Sequence, residues 1–113
     1  MIVDAGKVRM ADLFVDDFIN VAVGDGGDDT STAQTTMDNQ IAIKAADSIN
    51  RQGNVVVYTV TFTGSELESN IINELGIFNN ENPKKLLTRV NFKGIGPLSS
   101  SESVAFTFRL VIE

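Results

Sequence analysis

Carboxylates are the side chains of this sequence that are best suited to acid–base or metal chemistry. The 113 residues contain no histidine and no cysteine. This excludes Cys–His and Ser–His–Asp nucleophilic catalysis and the usual zinc, haem and iron–sulfur ligand sets. Two carboxylates would suffice for acid–base catalysis, but they need a large cleft, which a small β domain rarely provides beside its core. We therefore expect a chain that is not an enzyme and has no cofactor.

Three aspartates, Asp25, Asp28 and Asp29, lie in a glycine-rich stretch and are the candidate metal ligands. Carboxylate oxygens are ligands that Ca²⁺ prefers. Their spacing differs from the Asp-x-Asp-x-Asp-Gly loop with its distal glutamate, and the flanking glycines favour a tight turn. We interpret the stretch as a solvated turn and keep calcium binding as the weaker alternative.

Glu74 is the only charged residue in the apolar stretch 70–78. A turn separates this stretch from residues 84–93, so the two segments predict a hairpin that brings Arg89 close to Glu74. In one interpretation Glu74 lies on the solvent face, and in another it pairs with Arg89. An exposed pair would contribute little to stability, whereas a buried pair would fix the register of the strands. In a third interpretation Glu74 contacts another subunit.

The charge balance argues against two classes of partner. The net charge is −6, from 9 lysines and arginines against 15 aspartates and glutamates, whereas nucleic-acid-binding domains usually carry a basic stripe. Lys84 and Lys85 are the only adjacent basic pair. No apolar run is long enough to span a membrane, and residues 1–20 lack the layout of a signal peptide. We expect neither nucleic acid nor membrane as a partner, and a protein that stays in the cytoplasm until it is assembled.

Alternation of residue types is the strongest structural signal in the sequence. Residues 55–63 place four apolar side chains on one face: Val56, Tyr58, Val60 and Phe62. Residues 84–93 likewise place four side chains on one face: Leu86, Thr88, Val90 and Phe92. The turn signal at residues 51–54 predicts a hairpin between residues 40–50 and 55–63.

These patterns predict a mainly β chain, namely an antiparallel β-sandwich of about six strands with one short N-terminal helix. We expect one domain over residues 1–113. The predicted helix covers residues 4–15, and the predicted strands cover residues 17–23, 40–50, 55–63, 70–78, 84–93 and 103–112.

Two segments are candidates for contacts between subunits. The apolar side of the predicted helix either packs on its own core or docks onto a neighbouring subunit. The last strand carries a single charged residue, Arg109, and no proline, which favours pairing with another chain and hence a homo-oligomer. The candidate interface residues are Val8, Ala11, Leu13, Phe14, Glu74, Arg89, Phe106, Phe108 and Arg109.

The order of the motifs resembles that of a family of small tailed-phage virion proteins of the tail-fibre, tail-tip or collar type. The most specific motif is Ile-Asn-Glu-Leu-Gly-Ile-Phe at residues 72–78, followed by Leu-Leu-Thr-Arg-Val-Asn-Phe at residues 86–92. Shorter matches lie at residues 19–26, 37–44 and 51–56. The resemblance extends over residues 3–113, and the chain departs from the family pattern at Gln40 and Ala42.

The resemblance implies a structural virion protein that acts by subunit assembly, with other virion proteins as partners. It implies a place in the virion tail after assembly in the host cytoplasm, and it supplies no catalytic residues. One alternative is a capsid decoration or head-fibre protein. Another is a stand-alone module that binds carbohydrate or a receptor, but such modules usually present exposed aromatic side chains, and this chain has no tryptophan and a single tyrosine, Tyr58.

Overall fold

The computed structural model describes residues 1–27, 30–31 and 33–113, and it confirms a mainly β fold headed by one helix. Seven strands form in these residues where about six were predicted. In chain order the elements are α1 Asp4–Asp17, β1 Asn20–Gly24, β2 Gln40–Ala45, β3 Ser48–Gln52, β4 Val55–Thr63, β5 Ile72–Phe78, β6 Leu86–Ile95 and β7 Ser103–Val111.

The strands form two antiparallel sheets that share one core. Sheet A has the strand order β2-β1-β5-β6, and sheet B has the order β3-β4-β7. The alternation predicted for β4 is confirmed, because its residues alternate between buried and half-buried positions up to Phe62. Its buried side chains pack in one cluster with Val21, Leu75 and Ile77 of sheet A. Full burial of each large apolar side chain contributes about 1.5–3 kcal/mol, so this shared core holds the antiparallel sandwich together.

The helix α1 packs against β3 and β4 of sheet B. Ala11 is fully buried in the core, and Met10 and Phe14 pack against it. On its polar side, Asp12 forms an ion pair with Arg51 of β3. The helix continues past the predicted end at residue 15 and ends at Asp17. No helix in the described residues has the length and apolar character needed to cross a membrane.

The prediction of a single strand over residues 40–50 is wrong, since the chain changes sheets in the middle of that stretch. The backbone N–H of Ala46 donates to the Ile19 carbonyl oxygen next to sheet A (2.9 Å), and the N–H of Asp47 donates to Thr59 of sheet B (2.8 Å). β2 and β3 therefore belong to different sheets. The predicted hairpin is confirmed for β3 and β4, where Gly53 occupies the left-handed region at φ +61, which glycine adopts without strain.

A bulge breaks the single apolar face predicted for residues 84–93. The register of β5 and β6 shifts between Ile77 and Phe78, because Leu86 pairs with Phe78 and Thr88 pairs with Ile77. The extra residue, Leu87, moves Leu86 to the outer face of sheet A, while Val90 stays in the core. A one-residue insertion has this effect because side chains in a strand alternate between faces.

Candidate functional site

The middle of the outer face of sheet A is buried under a segment that we call the covering loop, residues 25–39, of which 28, 29 and 32 lie outside the described residues. Met37 of this loop is 5% exposed and packs with Ala22 and Phe78. Gly76 permits the contact, because a Cβ atom there would lie 2.5 Å from the sulfur of Met37. The central strands β1 and β5 are therefore buried on both faces, unlike the strands of a sheet with one solvated side.

The carboxylate of Glu74 anchors both ends of the covering loop. Its Oε2 accepts hydrogen bonds from the backbone N–H groups of Gly26 (2.7 Å) and Asn39 (2.8 Å). Its Oε1 accepts from the N–H of Asp38 (2.9 Å) and from Nε of Arg89 (2.7 Å). One residue from the start of the loop and two from its end thus converge on one fully buried side chain, together with a guanidinium from β6.

Glycine is required where the loop passes over this carboxylate. A Cβ atom at Gly26 would lie 2.4 Å from Oε2 of Glu74 and 2.2 Å from the Cβ of Asp38. At Gly24, it would lie 2.2 Å from the carbonyl oxygen of Asn39. Real Cβ atoms do not approach this closely, so the two glycines allow the loop backbone to reach the carboxylate.

Glu74 is ionised in the folded protein at neutral pH. Burial alone would raise the pKa of its carboxyl group, since a charge is poorly solvated in the interior. The hydrogen bonds from Arg89 and from the backbone N–H groups of Asn39, Asp38 and Gly26 outweigh burial, and the pKa lies below its ordinary value. A carboxylate that accepts several such bonds is stabilised in its charged form.

Arg89 connects β6 to the same loop. Its side chain is 2% exposed and lies 3.9 Å from the Asp38 carboxylate, and its Nη1 donates to the side-chain oxygen of Gln34 (3.4 Å). The predicted pairing of Glu74 with Arg89 is confirmed, and the solvent-face interpretation of Glu74 is wrong because its side chain is fully buried. The buried pair joins β5, β6 and the covering loop into one unit.

The chemistry of this arrangement is that of a clamp. Both oxygens of Glu74 already accept two hydrogen bonds each, so the carboxylate is directed at the protein's own backbone. A shallow cavity of about 170 Å³ lies beside Arg89, between the covering loop and the start of β6; Thr30, Gln34 and Leu86 contribute to its lining. Glu74 is not among the lining residues.

The candidate calcium ligands are only partly described. Asp25 is half-buried, and its Oδ1 accepts a hydrogen bond from the side-chain amide of Asn39. Asp28 and Asp29 lie outside the described residues. Within residues 1–27, 30–31 and 33–113, no three histidine, cysteine, aspartate or glutamate side chains are grouped as a metal site would require.

The candidate interface residues fall into three places. Ala11 lies in the core and Phe14 packs against it, Val8 is half-buried, and Leu13 is 48% exposed. Glu74 and Arg89 lie beneath the covering loop. The remaining candidates belong to β7: Phe106, Phe108 and Arg109.

β6 and β7 are edge strands, one in each sheet, and an apolar groove opens between them. The ring centroids of Phe92 in β6 and Phe106 in β7 are 6.0 Å apart across this groove. Phe106 is 8% exposed, Phe108 is half-buried, and Arg109 is exposed. The groove has a volume of about 410 Å³, and its lining residues are Leu75, Val90, Phe92, Lys93, Ile95, Phe106, Thr107 and Phe108.

Sequence reasoning missed the covering-loop residues that complete the site around Glu74. Nothing in the polar sequence of the covering loop indicated that the backbone N–H groups of Asp38 and Asn39 donate hydrogen bonds to Glu74. Met37, a lone apolar residue in a polar stretch, was the available signal that this loop packs on the sheet. Comparison of the sequence with protein-family models and with curated proteins finds no match.

Proposed function

We propose that this chain is a structural virion protein of a tailed bacteriophage, a tail-fibre, tail-tip or collar component that acts by subunit assembly. The observation that carries the proposal is the open side of the sandwich, where two edge strands flank an apolar groove. Unpaired strand edges are sites where another chain adds, and soluble monomers usually block them with charge or proline. The resemblance of residues 72–92 to phage virion proteins supports the same assignment.

The rest of the molecule suits a rigid building block. The Glu74–Arg89 pair and the covering loop close the outer face of sheet A, and α1 packs on sheet B. These contacts leave the β6–β7 side as the largest apolar opening that we identify in the described residues. Assembly on that side buries apolar surface without any chemical step, and the partners we propose are copies of the chain and other virion proteins.

The proposed location is the virion tail, reached after assembly in the host cytoplasm. A capsid decoration or head-fibre protein would use the same contacts, but its number of copies per particle would differ from that of a tail protein. The carbohydrate- or receptor-binding module has less support, because Tyr58, the single tyrosine, is 1% exposed and faces the core. Aromatic platforms for sugars require exposed rings.

Quantitative mass spectrometry of purified particles of the encoding phage tests the proposal. We expect the protein to be present in a small, fixed number of copies per particle, with a tail position in electron micrographs of particles labelled with an antibody to the chain. A copy number in the hundreds would move the protein to the capsid. Its absence from purified particles, together with binding on a glycan array, would replace the proposal with the binding module.

A further inference from the structure

The four edge strands of the two sheets differ in how open they are to pairing. β3 has only 5 residues, and on β2 the ammonium group of Lys44 pairs with Glu66 (3.2 Å). β6 carries register shifts in its pairing with β5. β7 pairs with β4 at nine positions, from Val111 to Ser103, without any shift. It is the long, regular edge of the molecule.

The outward-facing residues of β7 suit close approach of another strand. Ser103, Ala105, Thr107 and Val111 are exposed and uncharged, so Arg109 is the only charged residue of the strand. A charged residue in mid-strand normally prevents edge-to-edge pairing. In β7 the single charge lies near one end, and the residue related to it by a two-fold axis through Thr107 is Ala105.

We propose that β7 pairs with β7 of a second copy, antiparallel and about a two-fold axis at Thr107. This inference rests on the proposed function and specifies one of its contacts. The two three-stranded sheets B would join into one continuous sheet. The axis is perpendicular to that sheet, so Phe106 and Phe108 lie on the same side in both copies and the two grooves face each other.

Charge and strand length select this register. With the axis at Thr107, all nine residues of β7 are paired, and Arg109 lies opposite Ala105 of the second copy. With the axis at Arg109, two arginines would be directly opposite, which is unfavourable. With the axis at Ala105, Arg109 would lie opposite Ser101, beyond the strand. The central pairs of the favoured register are Phe106 with Phe108 on the groove side, an arrangement in which aromatic rings attract.

Isologous pairing of this kind forms a closed dimer and uses up the β7 edge. The pairing leaves α1 and the covering loop outside the interface, and they stay accessible to other virion proteins. The dimer is thus a building unit for the particle and does not extend into a fibre by repeating the β7 contact.

Cysteine crosslinking tests the register directly, because the chain has no cysteine of its own. Residues opposite each other in an antiparallel pair have Cα atoms about 4.5–5.5 Å apart, within the range of a disulfide. We expect Thr107→Cys to form a disulfide-linked dimer on mild oxidation. Ser103→Cys and Val111→Cys should crosslink when mixed and much less when each is oxidised alone. Ser100→Cys, in the exposed loop before β7, is the matched control.

A charge series at position 105 gives a second measurement that leaves the fold intact, because Ala105 is exposed. Ala105→Lys places a lysine opposite Arg109 twice in the dimer, and Ala105→Glu places a carboxylate there. Cross-strand pairs contribute about 0.2–1 kcal/mol each, and the dimer contains two of them. Sedimentation equilibrium should therefore show a roughly two- to thirtyfold weaker dimer for the lysine variant and a tighter one for the glutamate variant.

Two results would overturn the pairing. One is a native chain and an Ala105→Glu variant that both stay monomeric in solution; β7 then pairs with a different virion protein or with nothing. The other is crosslinking of Thr107→Cys no faster than that of the Ser100→Cys control. Neither result affects detection of the protein in purified particles, and a dimer that is absent from particles would refute the virion assignment while leaving the pairing intact.

Discussion

Replacing Glu74 with glutamine is the sharpest test of the clamp beneath the covering loop. The carboxylate offers two acceptor atoms to four donors, two on each oxygen. The glutamine amide has one acceptor oxygen, so in either orientation two of the donors face an NH₂ group. The guanidinium of Arg89, which is 2% exposed, would also lose its 2.7 Å ion pair with the Glu74 carboxylate.

The expected loss of stability is large. Each buried donor left without an acceptor costs about 1–3 kcal/mol, and removal of one partner from a buried ion pair costs about 3–5 kcal/mol. These two estimates describe overlapping effects, so we expect about 3–5 kcal/mol for Glu74→Gln. Domains have free energies of unfolding of about 5–15 kcal/mol, which makes this loss a large fraction of the total.

Urea unfolding followed by far-ultraviolet circular dichroism measures the loss. For a slope of about 2 kcal/mol per molar urea, the midpoint should fall by about 2 M. Glu68→Gln is the matched control, because Glu68 is exposed and the same substitution there should change stability by less than about 0.5 kcal/mol.

Hydrogen exchange locates the effect. In the native protein the amides of Gly26, Asp38 and Asn39 donate to Glu74, and in the variant we expect these three to exchange faster relative to the amides of β4. A double variant Glu74→Gln, Arg89→Met should be less destabilised than the sum of its single variants, with a coupling of about 1–3 kcal/mol. Unchanged protection of the three amides, or a loss no larger than that of Glu68→Gln, would refute the clamp.

Three further predictions follow from buried groups. Because folding lowers the pKa of Glu74, the contribution of this carboxylate to the free energy of unfolding is present above the ordinary pKa of 4.5 and is lost as the pH falls below it. In that acidic range the urea midpoint of the native chain should drop more steeply than that of Glu74→Gln. Gly26→Ala should destabilise by about 1–3 kcal/mol in thermal unfolding through overpacking against the carboxylate, whereas Gly27→Ala, in open space, should not. Burial raises the pKa of Tyr58 to about 12, and its hydroxyl has no hydrogen-bond partner in the described structure. Tyr58→Phe should therefore not lower stability at neutral pH. It should also remove the loss of stability that we expect for the native chain as the pH rises from 10 towards 12.

The alternation of residue types was clearest in strands with one buried and one more exposed face. β4 has one buried and one half-exposed face, so the alternation of its residue types follows the alternation of its burial. The central strands of sheet A, β1 and β5, are buried on both faces. The alternation of Ile72–Phe78 is lost for this reason, since Leu75 contacts the core and Phe78 contacts Met37.

The clamp was predicted in part. The proximity of Glu74 and Arg89 followed from the hairpin, because opposite charges on neighbouring strands lie within reach of each other. The other hydrogen-bond donors to Glu74 are backbone N–H groups of the covering loop, and every residue type except proline has that group. Residue identity therefore carries no signal for them, and only the glycines at positions 24 and 26 mark the close approach.

The division of residues 40–50 between two sheets was also hidden from the sequence. The stretch contains no glycine or proline to mark a break, and the change of sheet takes place at Ala46 and Asp47, where each backbone N–H donates to a different sheet. Which sheet a strand joins depends on contacts distant in the chain, so local periodicity does not encode it.

Because both ends of the covering loop are anchored on one side chain, the length of the loop should have little effect on the stability of the fold. Asp25 and Asn39 are joined by a backbone hydrogen bond of 3.1 Å, and Gly24 pairs with Gln40 just outside it. The loop is thus closed at its base whatever lies between. Lengthening a loop that is already closed costs little, about 0.6 kcal/mol for each doubling. An insertion between the exposed residues Thr35 and Thr36 should therefore leave the thermal midpoint nearly unchanged, which makes this loop a place where the protein can accept foreign peptide sequence.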